Sequence, residues 1–210
     1  AGCDRGRDAF GYMAFYDGGI NSGRWLTSSV ECAPSIEIPR DASIVLSNNR
    51  AEPTTEYVKE KTTDDVQPYS YGNTTIVHNG TIANDKEIKD KYKLQLNTEI
   101  DSAVIPYVFD QLEDFTPENI KEILTKTLIG SFALVVYNKK INKVVLATNY
   151  KPLNLLHDND LGVLFFSSLE SYLHTKDYRF NANETFKEIK PYTALIIDCN
   201  INTVTEVSLY

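Results

Sequence analysis

Asn79 followed by Gly80 stands at the end of an apolar run, Thr74–His78, and this pair of residue types could do acyl chemistry. The asparagine offers a side-chain amide and the glycine an unhindered backbone N–H. Both can point at one oxygen, as a tetrahedral intermediate formed from an amide carbonyl requires. The same dipeptide is a strong hairpin-turn signal, and taken alone it fits an ordinary turn better. Such chemistry also needs a nucleophile, and three cysteines are present, Cys3, Cys32 and Cys199. They form no CxxC pair and leave an odd one out, so neither a zinc site nor a disulfide framework is expected. Buried apolar side chains are their plain reading.

The elements that must position these residues are mostly strands. Short runs rich in β-branched and aromatic residues recur at Ala9–Tyr16, Ser43–Ser47, Thr74–His78, Ser131–Tyr137, Lys143–Thr148, Val163–Ser167, Ala194–Asp198 and Thr203–Leu209. Asn- and Lys-rich turns join Ser131–Tyr137 to Lys143–Thr148 and Ala194–Asp198 to Thr203–Leu209, which predicts antiparallel hairpins. A helical period links Ile100, Ala103, Val104, Tyr107, Val108 and Leu112, with Asp101 where an N-cap would sit; Pro106 predicts a kink or a late start there. A second helix is expected from Pro117 to about Leu128, capped by Thr116. Asp85–Lys93 reads as a solvated helix, and a short one carrying Leu169, Tyr172 and Leu173 begins after Ser168. The polar stretch Glu52–Tyr71, with two prolines and no apolar period, reads as a long loop. Strands broken by a central helical block imply α+β layering.

Bulk composition narrows the function classes. The 210 residues are 42% apolar and 24% charged, which suits one domain with a real core. A net charge of −8, with basic residues scattered among carboxylates, argues against a nucleic-acid partner. No apolar run approaches the ~20 residues of a membrane span, and the first residues lack a signal-peptide layout, so no membrane partner and a cytoplasmic setting are expected. The Asn-, Lys- and Tyr-rich composition points to an A+T-rich source genome, such as a viral one.

A set of segments occurs in order: Arg5-Gly6-Arg7-Asp8-Ala9-Phe10-Gly11-Tyr12, Asn49-Arg50-Ala51, His78-Asn79-Gly80, Thr98-Glu99-Ile100-Asp101-Ser102 and Gly130-Ser131-Phe132-Ala133. Asn149-Tyr150-Lys151-Pro152-Leu153, Phe166-Ser167-Ser168-Leu169-Glu170 and Ile189-Lys190-Pro191-Tyr192-Thr193-Ala194 follow. In order and approximate spacing they resemble the class II glutamine amidotransferase domain, as in glutamine phosphoribosyl-pyrophosphate amidotransferase, glucosamine-6-phosphate synthase, glutamate synthase and asparagine synthetase. The resemblance implies one such domain over residues 1–210. It also implies the four-layer αββα sandwich of two antiparallel sheets that N-terminal-nucleophile hydrolases share.

By position, Arg50 is similar to the arginine that grips the α-carboxylate of glutamine, a task suited to a guanidinium fork, with a surface ion pair as the alternative. Asp101 is similar to the aspartate that holds the α-ammonium, a role compatible with helix capping. Asn79 and Gly80 match the oxyanion pair, while Arg5, Gly6 and Asp8 match scaffold positions. The family's nucleophile is a terminal cysteine whose own amine is the base. Cys3 is a poor match, since its nitrogen is amide-bonded and it lies beside the Arg-Gly-x-Asp segment. The resemblance therefore places the cysteine upstream of Ala1, with the family's first strand and helix. Asn48 and Ala51 stand where the family commonly has histidine and an aromatic, which bears on substrate preference. Glutamine is the implied substrate, no cofactor or metal is implied, and ammonia would pass to a synthetase subunit or a C-terminal domain. The alternatives are a catalytically inactive binding or assembly module and an N-terminal-nucleophile hydrolase acting on another amide.

Overall fold

A computed structural model of the chain describes residues 6–51, 61–173 and 184–210. Within them the strands are β1 (Ala9–Tyr16), β2 (Gly19–Trp25), β3 (Ile44–Arg50), β4 (Tyr69–Tyr71), β5 (Thr74–Ile82), β6 (Gly130–Asn138), β7 (Lys143–Thr148), β8 (Asn154–Asp158), β9 (Val163–Ser167), β10 (Glu184–Glu188), β11 (Thr193–Asp198) and β12 (Thr203–Ser208). The α-helices are α1 (Ser29–Cys32), α2 (Asp85–Tyr92), α3 (Ile105–Asp110) and α4 (Pro117–Glu122). All strand pairings are antiparallel, in a central sheet ordered β12-β11-β7-β6-β5-β4 and two small sheets ordered β2-β1-β3 and β10-β8-β9.

Side chains alternate across a strand, and the central sheet is covered on both faces, so its strands are apolar throughout. Phe132, Leu134 and Val136 of β6 point to the helices with Val145 and Ala147 of β7 and Ile196 of β11, against Val104, Ile105, Phe109 and Ile120. Their neighbours Ala133, Val135, Tyr137, Val144, Leu146, Leu195 and Ile197 face the small sheets, where Phe15, Leu46, Leu153, Leu155 and Ile189 meet them. An edge-on contact of Phe15 with Tyr137, centroids 4.8 Å apart, joins the two sheet layers. Outside β1 lies a smaller cluster, in which Phe10, Tyr12 and Trp25 stack at 6.0–6.5 Å beside Cys32. The α+β architecture of stacked antiparallel sheets agrees with the sequence-based expectation. Of the outer helical layer, the described residues supply α1 and the 3-10 turn Ala33–Ser35.

Several local expectations change. The Asn-Gly pair does not close a hairpin: β5 runs on to Ile82, with Asn79 opposite Ala133 and Gly80 opposite Phe132. Asp101 is not an N-cap, because Ile100 takes that position and Asp101 opens a 3-10 turn, Asp101–Val104. The late start expected from Pro106 is present, since the proline falls in the first turn of α3, where its missing donor costs nothing. The helix from Pro117 keeps its Thr116 cap but widens to a π turn over Ile123–Thr127, with Leu128 N bonded to the Ile123 carbonyl at 2.9 Å. The stretch Glu52–Tyr71 is not loop throughout: beyond residues 52–60, which lie outside the described residues, it forms the 3-10 turn Thr63–Asp65 and β4, and buries Asp65, Val66, Gln67 and Tyr69. The two hairpins are as expected, with Asn142 and Asn202 turning at positive φ.

Candidate functional site

Arg50 ends β3, where its strand pairs with Ala9 of β1 and its carbonyl accepts from Asp8 N at 3.1 Å. Gly6 packs so tightly there that a Cβ would lie 2.6 Å from the backbone of Asn49 and Arg50, so this scaffold position admits no side chain. Arg5 and Cys3 lie outside the described residues. The Arg50 guanidinium donates from Nη1 to the Asp65 carbonyl at 2.5 Å. Arg50, Asp8, Lys61 and Asp65 line one small cleft. Asp101, Asn79 and Gly80 do not line that cleft.

A chain of hydrogen bonds connects them to it instead. Asp65 is 6% exposed, and its Oδ1 accepts from Thr98 Oγ1 at 2.6 Å. Thr98 Oγ1 in turn accepts from Ile100 N at 3.1 Å. The next residue, Asp101, turns its Oδ2 to Ile82 N at 2.5 Å and its Oδ1 to Ser102 N at 2.7 Å. Ile82 ends the strand that carries Asn79 and Gly80, so arginine, aspartate and the Asn-Gly pair are fixed to one frame. Buried polar groups joined this way specify a single arrangement, since any break leaves an unpaired donor or acceptor.

Within β5, Asn79 is half-buried, and among the described residues its carboxamide has no hydrogen-bond partner. Gly80 has φ 156°, and a Cβ there would lie 1.8 Å from the Ser131 carbonyl oxygen and 2.8 Å from His78 Nε2. Glycine is thus required by β6 on one side and the imidazole on the other. His78 is 4% exposed. Its backbone is held on both sides by the Gln67 side chain, which accepts from His78 N at 2.6 Å and donates to the His78 carbonyl at 3.0 Å. Burial pushes the His78 imidazole below its ordinary pKa, Asp101 opposes that, and Lys151 adds to it. Burial likewise raises Tyr69, although the Arg50 and Arg24 guanidinium charges beside it pull the other way.

Neither described cysteine belongs to this frame. Cys32 is 3% exposed in the outer cluster, and burial raises the Cys199 thiol, as does Asp198 beside it, which disfavours the reactive thiolate. Among the described residues no group of three or more His, Cys, Asp or Glu side chains could hold a metal ion, and no helix is long and apolar enough to cross a membrane. The sequence singled out Arg50, Asp101, Asn79 and Gly80 but not Asp65 or Gln67, because a polar residue in a polar stretch carries no sign that it will be buried. Ser102 and His78 were adjacent to assigned residues and had no role of their own.

Comparison with known proteins adds three findings. The profile of a glutamine amidotransferase domain matches residues 54–175. Two archaeal proteins named 7-cyano-7-deazaguanine synthase are similar: that of Saccharolobus solfataricus is 40% identical over 201 residues, covering 94% of this chain and 42% of the relative. That of Sulfolobus acidocaldarius is 37% identical over 206 residues, covering 93% of this chain and 42% of the relative. The chain thus spans well under half the length of these relatives, and their cellular origin lends no support to a viral source. Glutamine phosphoribosylpyrophosphate amidotransferase from B. subtilis, solved with ADP and GMP, shares the fold at a TM-score of 0.70 and 17% identity, covering 98% of this chain and 44% of that one.

Proposed function

The chain belongs to the class II glutamine amidotransferase domain family, and we propose that, as a single domain over residues 1–210, it hydrolyses the side-chain amide of glutamine and delivers the ammonia to an acceptor. The observation that carries the reading is the hydrogen-bonded frame joining Arg50, Asp101, Asn79 and Gly80. In this reading the Arg50 fork binds the α-carboxylate and Asp101 the α-ammonium, which together select a free amino-acid head group. That selection disfavours a peptide or acyl amide as substrate. The Asn79 carboxamide and the Gly80 N–H accept the oxyanion that forms on the amide carbonyl.

The nucleophile of the proposal is a terminal cysteine upstream of residue 1, supported by the family and by the unsuitable settings of Cys32 and Cys199. Its thiol adds to the amide carbon, and its α-amine takes the thiol proton and returns it to the leaving nitrogen. Ammonia departs, leaving a γ-glutamyl thioester. Water, activated by the same amine, adds to the thioester; glutamate leaves and the thiol is restored. The balance is glutamine plus water to glutamate plus ammonia.

The acceptor is proposed to be a synthetase domain or subunit. The relatives named 7-cyano-7-deazaguanine synthase suggest its chemistry, since a cyano group contains one nitrogen that ammonia can supply. Free cysteines suit a cytoplasmic setting. The test is release of glutamate and ammonia from glutamine by the full-length protein, with calorimetric titration alongside. Turnover supports the proposal, binding without turnover makes the domain an inactive glutamine-binding module, and absence of both overturns the reading.

A further inference from the structure

His78 is buried against Gly80 and Ser102, and the hydrolysis proposed above gives it no task. Its Nε2 lies 3.4 Å from the Ser131 carbonyl oxygen, which can only accept, so Nε2 carries a proton when that bond is made. A neutral imidazole has one N–H, so Nδ1 is then a bare acceptor. Ser102 Oγ sits 2.7 Å from Nδ1 and 3.1 Å from Asp101 Oδ1, and its single proton can serve one of them. With His78 neutral the hydroxyl donates to Nδ1, and among these contacts Asp101 Oδ1 accepts from Ser102 N alone. With His78 protonated, Nδ1–H donates to Ser102 Oγ and the hydroxyl turns to Asp101 Oδ1.

We propose that His78 and Ser102 are positioning residues for the glutamine α-ammonium: the neutral imidazole draws the Ser102 hydroxyl proton away from Asp101, leaving a lone pair on Oδ1 for the substrate. The inference rests on Asp101 being the ammonium acceptor. The charged groups facing the ring are Asp101, which favours its protonation, and Lys151, which opposes it together with the stronger effect of burial. The arrangement therefore holds the ring neutral at ordinary pH, and acid turns the hydroxyl onto the carboxylate, where it competes with the ammonium. Because Gly80 touches the same ring, the head-group and oxyanion ends of the frame meet at one side chain.

The test uses the full-length protein and L-glutamate, which has the same head group as glutamine and is not hydrolysed. Titrated downward from about pH 7, the wild type should hold its glutamate affinity until His78, whose titration burial pushes below the ordinary histidine range, takes up its proton, and should then lose up to roughly tenfold, as expected for one hydrogen bond to a charged group. Ser102→Ala should flatten that profile, and Ser102→Thr, which keeps the hydroxyl, should restore it. Imidazole nitrogen NMR should find the Nε2–H tautomer at His78, one of 3 histidines in the chain. A wild-type profile retained by Ser102→Ala, or the Nδ1–H tautomer, overturns the relay while glutamine hydrolysis stands. Failure of the wild type to bind either amino acid overturns both.

Discussion

Arg50 holds the Asp65 carbonyl with one N–H, and a guanidinium has five. That planar fork is what a carboxylate matches with two donors, whereas a lysine nitrogen presents a point charge and no fork. Arg50→Lys should therefore raise KM for glutamine about 10- to 100-fold with a much smaller change in kcat, measured by steady-state glutamate release. Asn79 gives the opposite pattern. With no partner among the described residues it does little for the folded state, so Asn79→Ala should leave the unfolding midpoint nearly unchanged. Its kcat should fall roughly 100- to 1000-fold with KM barely moved, as for loss of one oxyanion donor. Asn79 was visible because it stands beside a glycine at the end of an apolar run, and Arg50 only through the ordered segments that resemble the family. Asp65, Gln67 and Ser102 were not, since their importance lies in whom they bond, and those partners lie 3 to 33 residues away or wait on the fold.

At the scale of the element, β5 is where chemistry and pairing coincide. Gly80→Ala would drive a Cβ into the Ser131 carbonyl, so strain and overpacking together should cost about 3 kcal/mol in a denaturant titration. Gly162 is a matched control: its φ is 64° but nothing lies within 4 Å of an added Cβ, so Gly162→Ala should cost only about 1 kcal/mol. Similar losses for both would show that β6 yields at Gly80. Strands buried on both faces, β6, β7 and β11, were legible as continuous apolar runs. The missed strands β2, β4, β8 and β10 are mostly short or exposed: β2 is Gly-Ile-Asn-Ser-Gly-Arg-Trp and β10 is Glu-Thr-Phe-Lys-Glu, both at sheet edges, where no burial pattern marks them. The π turn after α4 left no mark either, because Ile123 and Leu124 are buried in it as they would be in an α-helix.

For the whole molecule, acid should act in two windows. His78 is held below its ordinary pKa in the folded state, chiefly by burial. As pH falls through about 6.5 the unfolded chain gains a proton that the folded one refuses, so stability falls by up to about 1.4 kcal/mol per pH unit. His78→Gln should flatten that slope in thermal unfolding followed against pH. Asp114 is held below its ordinary value by its hydrogen bond to Lys143, so its contribution is present above the unfolded value and disappears only in a lower window, near pH 4 and below. That carboxylate is 47% exposed, and screening keeps its effect small. The α+β layering was readable from strands broken by a central helical block, and the sandwich of two antiparallel sheets only through the family resemblance; how the small sheets cover the central one was not, since pairing order depends on contacts across the whole chain.

The stack of Phe10, Tyr12 and Trp25 has an optical consequence. Trp25 is the only tryptophan in the chain, and it sits in the small sheet whose β3 strand ends at Arg50. Its emission therefore reports on that sheet alone, while the tyrosines report on the molecule at large. Excited at the red edge of absorption, the protein would signal movement of the arginine-bearing strand without a label.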